Sequence, residues 1–301
     1  MCHISPLFCW GRQGFSQEVG DNSRFMAISL PNLQHANSLV SSGASAGGVS
    51  LVVSIVSHGH GALVQRLLQQ IAQLNSGYVS RVVLTLNLPE LEPEGCWPFT
   101  LDIRRNLRPI GFGANHNAAL QDATEAFVCV LNPDVELLEE PFGGLIEAAS
   151  QRVTDWGGVL SYPVQVDADG QAQSSERALP SPKALFLRRA LGRKDARVDW
   201  VNAACMVLSL GSWRKSRGFD ESYHMYCEDV DFCLRLRLAG GQLIKAPVRV
   251  VHVGERASSR SWRHLGWHIS SLVRLWRSPV YQQARNLVTL AGVDARRMGG
   301  S

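Results

Sequence analysis

Apolar and polar positions run through this chain in two periods, and the switches between them mark out its elements. VSLVVSIVS (49–57) is a continuous β-branched run, the pattern of a strand covered on both faces. HGHG follows as a turn, and ALVQRLLQQIAQL (62–74) then spaces its apolar residues three and four apart, which predicts an amphipathic helix. A second apolar run, RVVLTLN (81–87), completes a strand, helix, strand unit, the opening of an open parallel sheet. Past a Pro/Glu-rich loop, LDIRRN (101–106) predicts a short strand, RPIGFGANHNAAL a loop running into a helix, and FVCVLNPDV (127–135) another strand. The second half predicts a helix near 141–152 and a strand GGVLSYPV (157–164). VDWVNAACMVLSL (198–210) then predicts a strand returning alongside the first sheet, followed by a short helix around Trp213. GQLIKAPVRVVHVG (241–254) reads as strand, turn, strand. Ligands of such sheets collect beyond the carboxyl ends of the strands, where HGHG, Asn87 and Asn132-Pro133-Asp134 would lie.

Residues 1–48 lack periodicity and end in SSGASAGG, a flexible-linker composition, so they are expected to be a tail. The segment RALPSPKALFLRRALGRKDAR is basic and expected to be mobile. The segment 256–278 carries five arginines (256, 260, 263, 274, 277), two histidines and three tryptophans. There Leu265, Ile269, Leu272 and Trp276 share one helical face, which suits either a helix packed on its own domain or one lying in a membrane interface.

Composition narrows the class. With 45% hydrophobic and 19% charged residues, the 301-residue chain can bury a sizeable core. A net charge of +4 without a Lys/Arg-rich run along the body argues against a nucleic-acid binder. Seven scattered cysteines without a CxxC pair read as reduced, cytoplasmic usage. No window approaches the ~20 apolar residues of a membrane span, and the start lacks the build of a signal peptide.

The chemistry gathers in GFDESYHMYCEDVDFCLRLRLAGG (218–241). Glu228, Asp229 and Asp231 fall ahead of Val230, Cys233, Leu234 and Leu238 at helical spacing, so the acids occupy the first turn of a helix. Carboxylates there complement the helix dipole. Glu228 and Asp229, however, point about 100° apart, and dipole complementation alone does not call for the aromatic approach Phe219, Tyr223 and Tyr226. The local reading is a rigid helix start presenting carboxylates into a cleft.

This block resembles the family 2 glycosyltransferases, in particular their rhamnosyltransferase-like branch, and the resemblance runs in order from about Ser50 to Trp276. It implies an α/β fold: a single GT-A type domain over 49–255 with a mixed, mostly parallel central sheet, and a C-terminal helical extension over 256–301. In that family the Glu-Asp pair supplies the catalytic base on the acceptor side, which implies Asp229 with Glu228 beside it. Asn132-Pro133-Asp134 resembles the variant metal site of the branch, leaving Asp134 as the main ligand, with His252 closing the site. Mg²⁺ or Mn²⁺ is the implied cofactor. NLRPIGFGANHNAAL (106–120) resembles the loop between donor base and metal, with Gly111 and Gly113 permitting close backbone approach and Asn115 and Asn117 offering amides. Ser57, His58, Asn87 and Asn132 complete the implied donor side. Trp200-Val201-Asn202-Ala203 resembles the strand lining the acceptor side, where Tyr226 also falls.

The implied activity is inverting, metal-dependent transfer of a hexose, rhamnose from dTDP-rhamnose being the branch's example. The donor would be a nucleotide diphospho-sugar and the acceptor a polysaccharide, lipopolysaccharide or lipid-linked glycan. The chain would then face the cytoplasm, with peripheral membrane contact through 256–277 a further possibility. Two sites depart from the family: SHGHG (57–61) lacks the usual Tyr, and Leu86 stands where relatives commonly carry Asp. Two other readings therefore stay open, a relative that binds sugar nucleotide or glycan without transfer, and a nucleotidyltransferase sharing sheet and metal.

Overall fold

The computed structural model describes residues 49–74, 77–151, 158–182, 197–252 and 262–286. The N-terminal tail and most of the basic 177–197 segment lie outside the described residues.

Strand β1 (Leu51–Ser57) is buried at every position and pairs in parallel with β2 (Val79–Leu86) on one side and β4 (Phe127–Leu131) on the other. β3 (Thr100–Arg105) joins β2 as a half-exposed edge strand. Because successive side chains alternate across a strand, Leu51, Val53 and Ile55 go to one layer and Val52 to the other. The first layer is filled by Val64, Leu67, Leu68 and Ile71 of α1 (Gly61–Leu74) and by α3 (Phe142–Ala149). The second is filled by α2 (Phe112–Leu120), α4 (Leu210–Lys215) and α5 (Glu228–Leu238). Both faces of the sheet are thus dry, which is why its central strands are uninterrupted apolar runs.

The full sheet adds β5 (Val135–Glu136), β6 (Val159–Val166), β9 (Cys205–Ser209) and β10 (Gln242–His252), in the order β3-β2-β1-β4-β9-β6-β10-β5. β9 runs antiparallel to β4 and β6, and β5 antiparallel to β10, so the sheet is mixed and mostly parallel, as expected.

Three elements differ from the sequence reading. The expected strand over 127–135 ends at Leu131, and Val135–Glu136 forms β5 against β10 instead. The expected single strand over 198–210 is broken into β8 (Trp200–Val201), which pairs with β7 (Glu176–Arg177) in a separate ribbon, and β9. The break is a turn at 202–204, held because the Asn202 amide exchanges two hydrogen bonds with Gln165 and Asn202 Oδ1 accepts from Ala204 N. Conversely, 241–254 is one long strand rather than strand, turn, strand. Lys245 pairs with Tyr162 and Arg249 with Val164, four steps along β10 against two along β6, so the residues around Pro247 bulge out of the ladder. Proline has no N–H to donate, and a parallel neighbour keeps the strand straight on either side.

The C-terminal helix α6 (Trp262–Arg277) packs on the outside of α5 through Leu272 and Leu275, against Tyr223, Cys227, Val230 and Leu234. A further helical segment, 279–286, adds Tyr281 and Ala284. Of the expected stripe, only Leu272 is buried and Trp276 partly so. Leu265 and Ile269 stay 44% and 53% exposed, because α5 ends the contact surface one turn short of them. Among the described residues no helix is long and apolar enough to cross a membrane.

Candidate functional site

The carboxyl ends of β1, β2 and β4 place Ser57, His58, Asn87 and Asn132 along one edge of the sheet. The first loop is braced by a residue the sequence did not single out. Ser57 Oγ donates to Glu90 at 2.8 Å, Gly59 N donates to the same carboxylate, and His60 N donates back to Ser57 Oγ. Glu90 sits in the Pro/Glu-rich loop, whose composition alone says only that it is a loop.

Asn87 is buried and its amide is spent on scaffold. Its Oδ1 accepts from Asn106 Nδ2 and Ile110 N, and its Nδ2 donates to Ile110 O and lies 3.1 Å from His58 Nδ1. Asn115, 1% exposed, continues the chain: its Oδ1 accepts from Asn106 at 2.6 Å, while its Nδ2 donates to Ile110 O and Gly111 O. Asn117 clamps the Phe219 backbone in both directions at 2.9 Å. The close approach that the glycines permit is likewise internal. A Cβ on Gly111 would sit 2.7 Å from His224 O, and one on Gly113 would sit 2.6 Å from Phe219 Cβ. The 106–117 loop is therefore welded to the 219–224 segment that leads into the acids, and Phe112 N donates to His224 O.

Asp134 follows β4, and the pairing of His252 with Val135 across β10 and β5 brings the imidazole to it, Nε2 to Oδ2 at 3.3 Å. Burial would raise the Asp134 pKa, but hydrogen bonding and charge from His252 outweigh it and hold the carboxyl below its ordinary value. Its Oδ1 is buried without a partner. One unsatisfied carboxylate oxygen beside an imidazole is a donor set that fits a divalent cation completing its shell with substrate phosphate and water. Among the described residues no group of three or more His, Cys, Asp or Glu forms a larger site.

The acids arrive on a strained approach. Tyr226 and Cys227 both hold positive φ, +71° and +67°, and Cys227 caps α5 in the left-handed region, a conformation that costs non-glycine residues roughly 1–3 kcal/mol each. Glu228 is turned inward, 6% exposed, with Oε2 unpartnered. Burial first, and the neighbouring Asp229 charge second, push its pKa up to about 8. Asp229 is raised to about 6, mainly by burial, while the N–H groups of Val230 and Ala203 favour its charged form. Burial raises both carboxyls, Glu228 the more strongly, so the pair shares a proton near neutrality.

That proton has a stability consequence. A carboxyl whose folded pKa lies above its unfolded value makes the native state the stronger proton binder, so its contribution is full below about pH 4 and is lost as pH rises through the folded value. Glu228→Gln is expected to leave Tm near wild type at pH 5 and to raise it by roughly 5 °C or more at pH 8.5, measured by paired thermal melts. An equal Tm change at both pH values would refute the buried proton.

The turn at 202–204 ties both halves of the site together: Asn132 N donates to Ala204 O at 2.8 Å, and Ala203 N reaches the Asp229 carboxylate. Asn202 pairs with Gln165 and Trp200 Nε1 with Ala178 O, so on the acceptor side it is small Ala203 that is left against the acids. Tyr226 Oη lies 2.9 Å from His264 Nδ1 of α6.

No family model matches the chain. It is 26% identical to the rhamnosyltransferase WbbL of Escherichia coli (strain K12) over 247 residues, 74% of this chain and 90% of that one. It is 27% identical to the N-acetylglucosaminyl-diphospho-decaprenol L-rhamnosyltransferase of Mycobacterium tuberculosis (strain CDC 1551 / Oshkosh) over 202 residues, 54% of this chain and 62% of that one. Among solved structures, GalNAc-T7 with UDP, GalNAc and Mn²⁺ superposes with a TM-score of 0.57 at 16% identity, over 78% of this chain and 49% of that one. These similarities support a rhamnosyltransferase-like protein of glycosyltransferase family 2. Its fold is GT-A.

In this chain, α6 contributes side chains that the sequence reading did not place at the site. His224 packs against Trp267 with ring centroids 4.9 Å apart, and His268 lies 5.1 Å from the Tyr226 ring. The signal available was the spacing of His264 and His268, four apart on one helical face.

Proposed function

We propose that this chain transfers a sugar, rhamnose being the best candidate, from a nucleotide diphospho-sugar to a hydroxyl of a glycan or lipid-linked glycan, with inversion. The observation that carries this reading is the 202–204 turn, which bonds to Asn132, two residues before Asp134, on one side and to Asp229 on the other, and so links the Asp134–His252 pair to the raised carboxylate. Asp229 accepts the proton of the acceptor hydroxyl as that oxygen attacks the anomeric carbon, while the bond to the nucleoside diphosphate breaks. A single displacement inverts the centre. Glu228, protonated, keeps a second negative charge away from the attacking oxygen. A divalent cation held by Asp134 and His252 would offset charge on the departing diphosphate.

The test is a thermal-shift panel of nucleotide diphosphates and nucleotide sugars with and without Mn²⁺ or Mg²⁺, since a ligand that binds the folded state raises Tm. One sugar nucleotide is expected to give a metal-dependent shift, and Asp134→Ala to abolish the metal dependence. A shift retained in Asp134→Ala would remove Asp134 from the site. Leu86 is buried and apolar where a base-binding carboxylate would stand, which favours, as the second reading, a sugar-nucleotide binder without transfer. That reading predicts the shift but no turnover with any acceptor.

The exposed Trp262, Leu265 and Ile269 lie along one side of α6 and support peripheral membrane contact through this helix.

A further inference from the structure

Between the 220–224 loop and α6 lies a cavity of about 600 Å³ that none of the roles above uses. It falls within the range of small-ligand sites. Its wall carries Arg274 and Arg277, one helical turn apart on α6, together with Asp220, Ser222, His224 and Trp267. Both arginines are exposed, and neither makes an ion pair among the described residues. The acid on the wall, Asp220, is partly engaged, its Oδ1 accepting from Ser222 N at 2.9 Å. The cavity shares His224 with the candidate site: the carbonyl of His224 holds the Phe112 N–H and its ring packs on Trp267. Glu228 lies four residues on from His224. Its other flank, at Val273, borders the exposed apolar stripe at Ile269.

Two guanidinium groups at i and i+3 on one wall, with no ion pair among the described residues, supply N–H forks of the kind that take phosphate oxygens bidentately. The indole of Trp267 and the imidazole of His224, packed on each other, form an aromatic wall beside them. We propose that this cavity is an anion subsite for a phosphate ester or diphosphate, and that in transfer it holds the diphosphate of the acceptor with the acceptor's terminal sugar directed past His224 toward Asp229. The second half rests on the function proposed above; the anion site does not.

The experiment is calorimetric titration of the full chain with inorganic pyrophosphate in EDTA, which deprives the donor side of its cation. Wild type is expected to bind, Arg274→Ala/Arg277→Ala to bind at least about tenfold more weakly, and Asp134→Ala to bind like wild type. Both arginines are exposed, so the double variant should keep its Tm, and the single charge reversal Arg277→Glu provides an independent variant expected to weaken binding as well. Equal affinity in wild type and the arginine variants, or loss in Asp134→Ala instead, would overturn the site. A parallel arm uses phosphatidylcholine vesicles with and without phosphatidylglycerol. Arginine-dependent binding to the anionic vesicles with no affinity for pyrophosphate would overturn it too, in favour of bilayer headgroups. Failure of the transferase reading shows separately, as absence of any sugar-nucleotide shift while pyrophosphate still binds.

Discussion

Asp229→Asn is expected to lower transfer by roughly 10²–10⁴-fold while leaving the metal-dependent shift with sugar nucleotide intact. The substitution keeps the shape of the side chain, and an amide oxygen can still accept from Val230 N, so the α5 start should hold. What disappears is the less strongly raised carboxyl of the pair. Glu228 cannot replace it, because its carboxyl is buried and protonated up to about pH 8. The same assignment predicts that wild-type transfer rises with pH through about 6, as Asp229 loses its proton, and that the variant lacks this limb. A variant that retains a tenth of wild-type transfer would remove Asp229 as base, and one that loses the nucleotide shift would move Asp229 to the donor side.

The largest expected stability effect lies one turn further along α5. Asp231 is 3% exposed, and its burial pushes its pKa up against the pull of Arg235, whose Nε donates to it at 2.6 Å. Arg235 also donates to the carbonyls of Ser216 and Gly218, so one guanidinium joins α5 to the loop that begins the acidic block. Arg235→Ala strands a buried carboxylate and two carbonyls at once. The expected cost is roughly 3–5 kcal/mol, or a Tm drop of about 10 °C. The double change Asp231→Asn/Arg235→Met, which removes the stranded charge, should recover a substantial part of it. A drop of under about 2 °C in the single variant would show that the pair contributes little.

The donor-side asparagines show where sequence reading stops. Asn87 and Asn115 were expected to offer amides to a nucleotide, and the structure spends those amides on Asn106 and the Ile110 and Gly111 backbone. Gly111 and Gly113 were read as room for a ligand, and that room is taken by His224 and Phe219. In both cases the residue type was informative about its need, a hydrogen-bonding partner or close approach, and silent about who supplies it: loop neighbours for the asparagines, and residues more than a hundred positions away for the glycines. His224, Trp267, Arg274 and Arg277 were invisible as a group for the same reason.

Taken by itself, the sequence determined the order of strands and helices, the burial of the central strands on both faces and the position of three acids on the first turn of α5. These depend on local periodicity, which neighbours in the chain establish. Only the tertiary structure decided that β10 stays a single strand and so carries His252 to Asp134, that 198–210 breaks so that Ala203 meets Asp229, and that α6 buries Leu272 and Leu275 while leaving Leu265 and Ile269 exposed. Each is a matter of which distant surface is available to pair with or to cover a segment, and the segment's own pattern is compatible with either outcome.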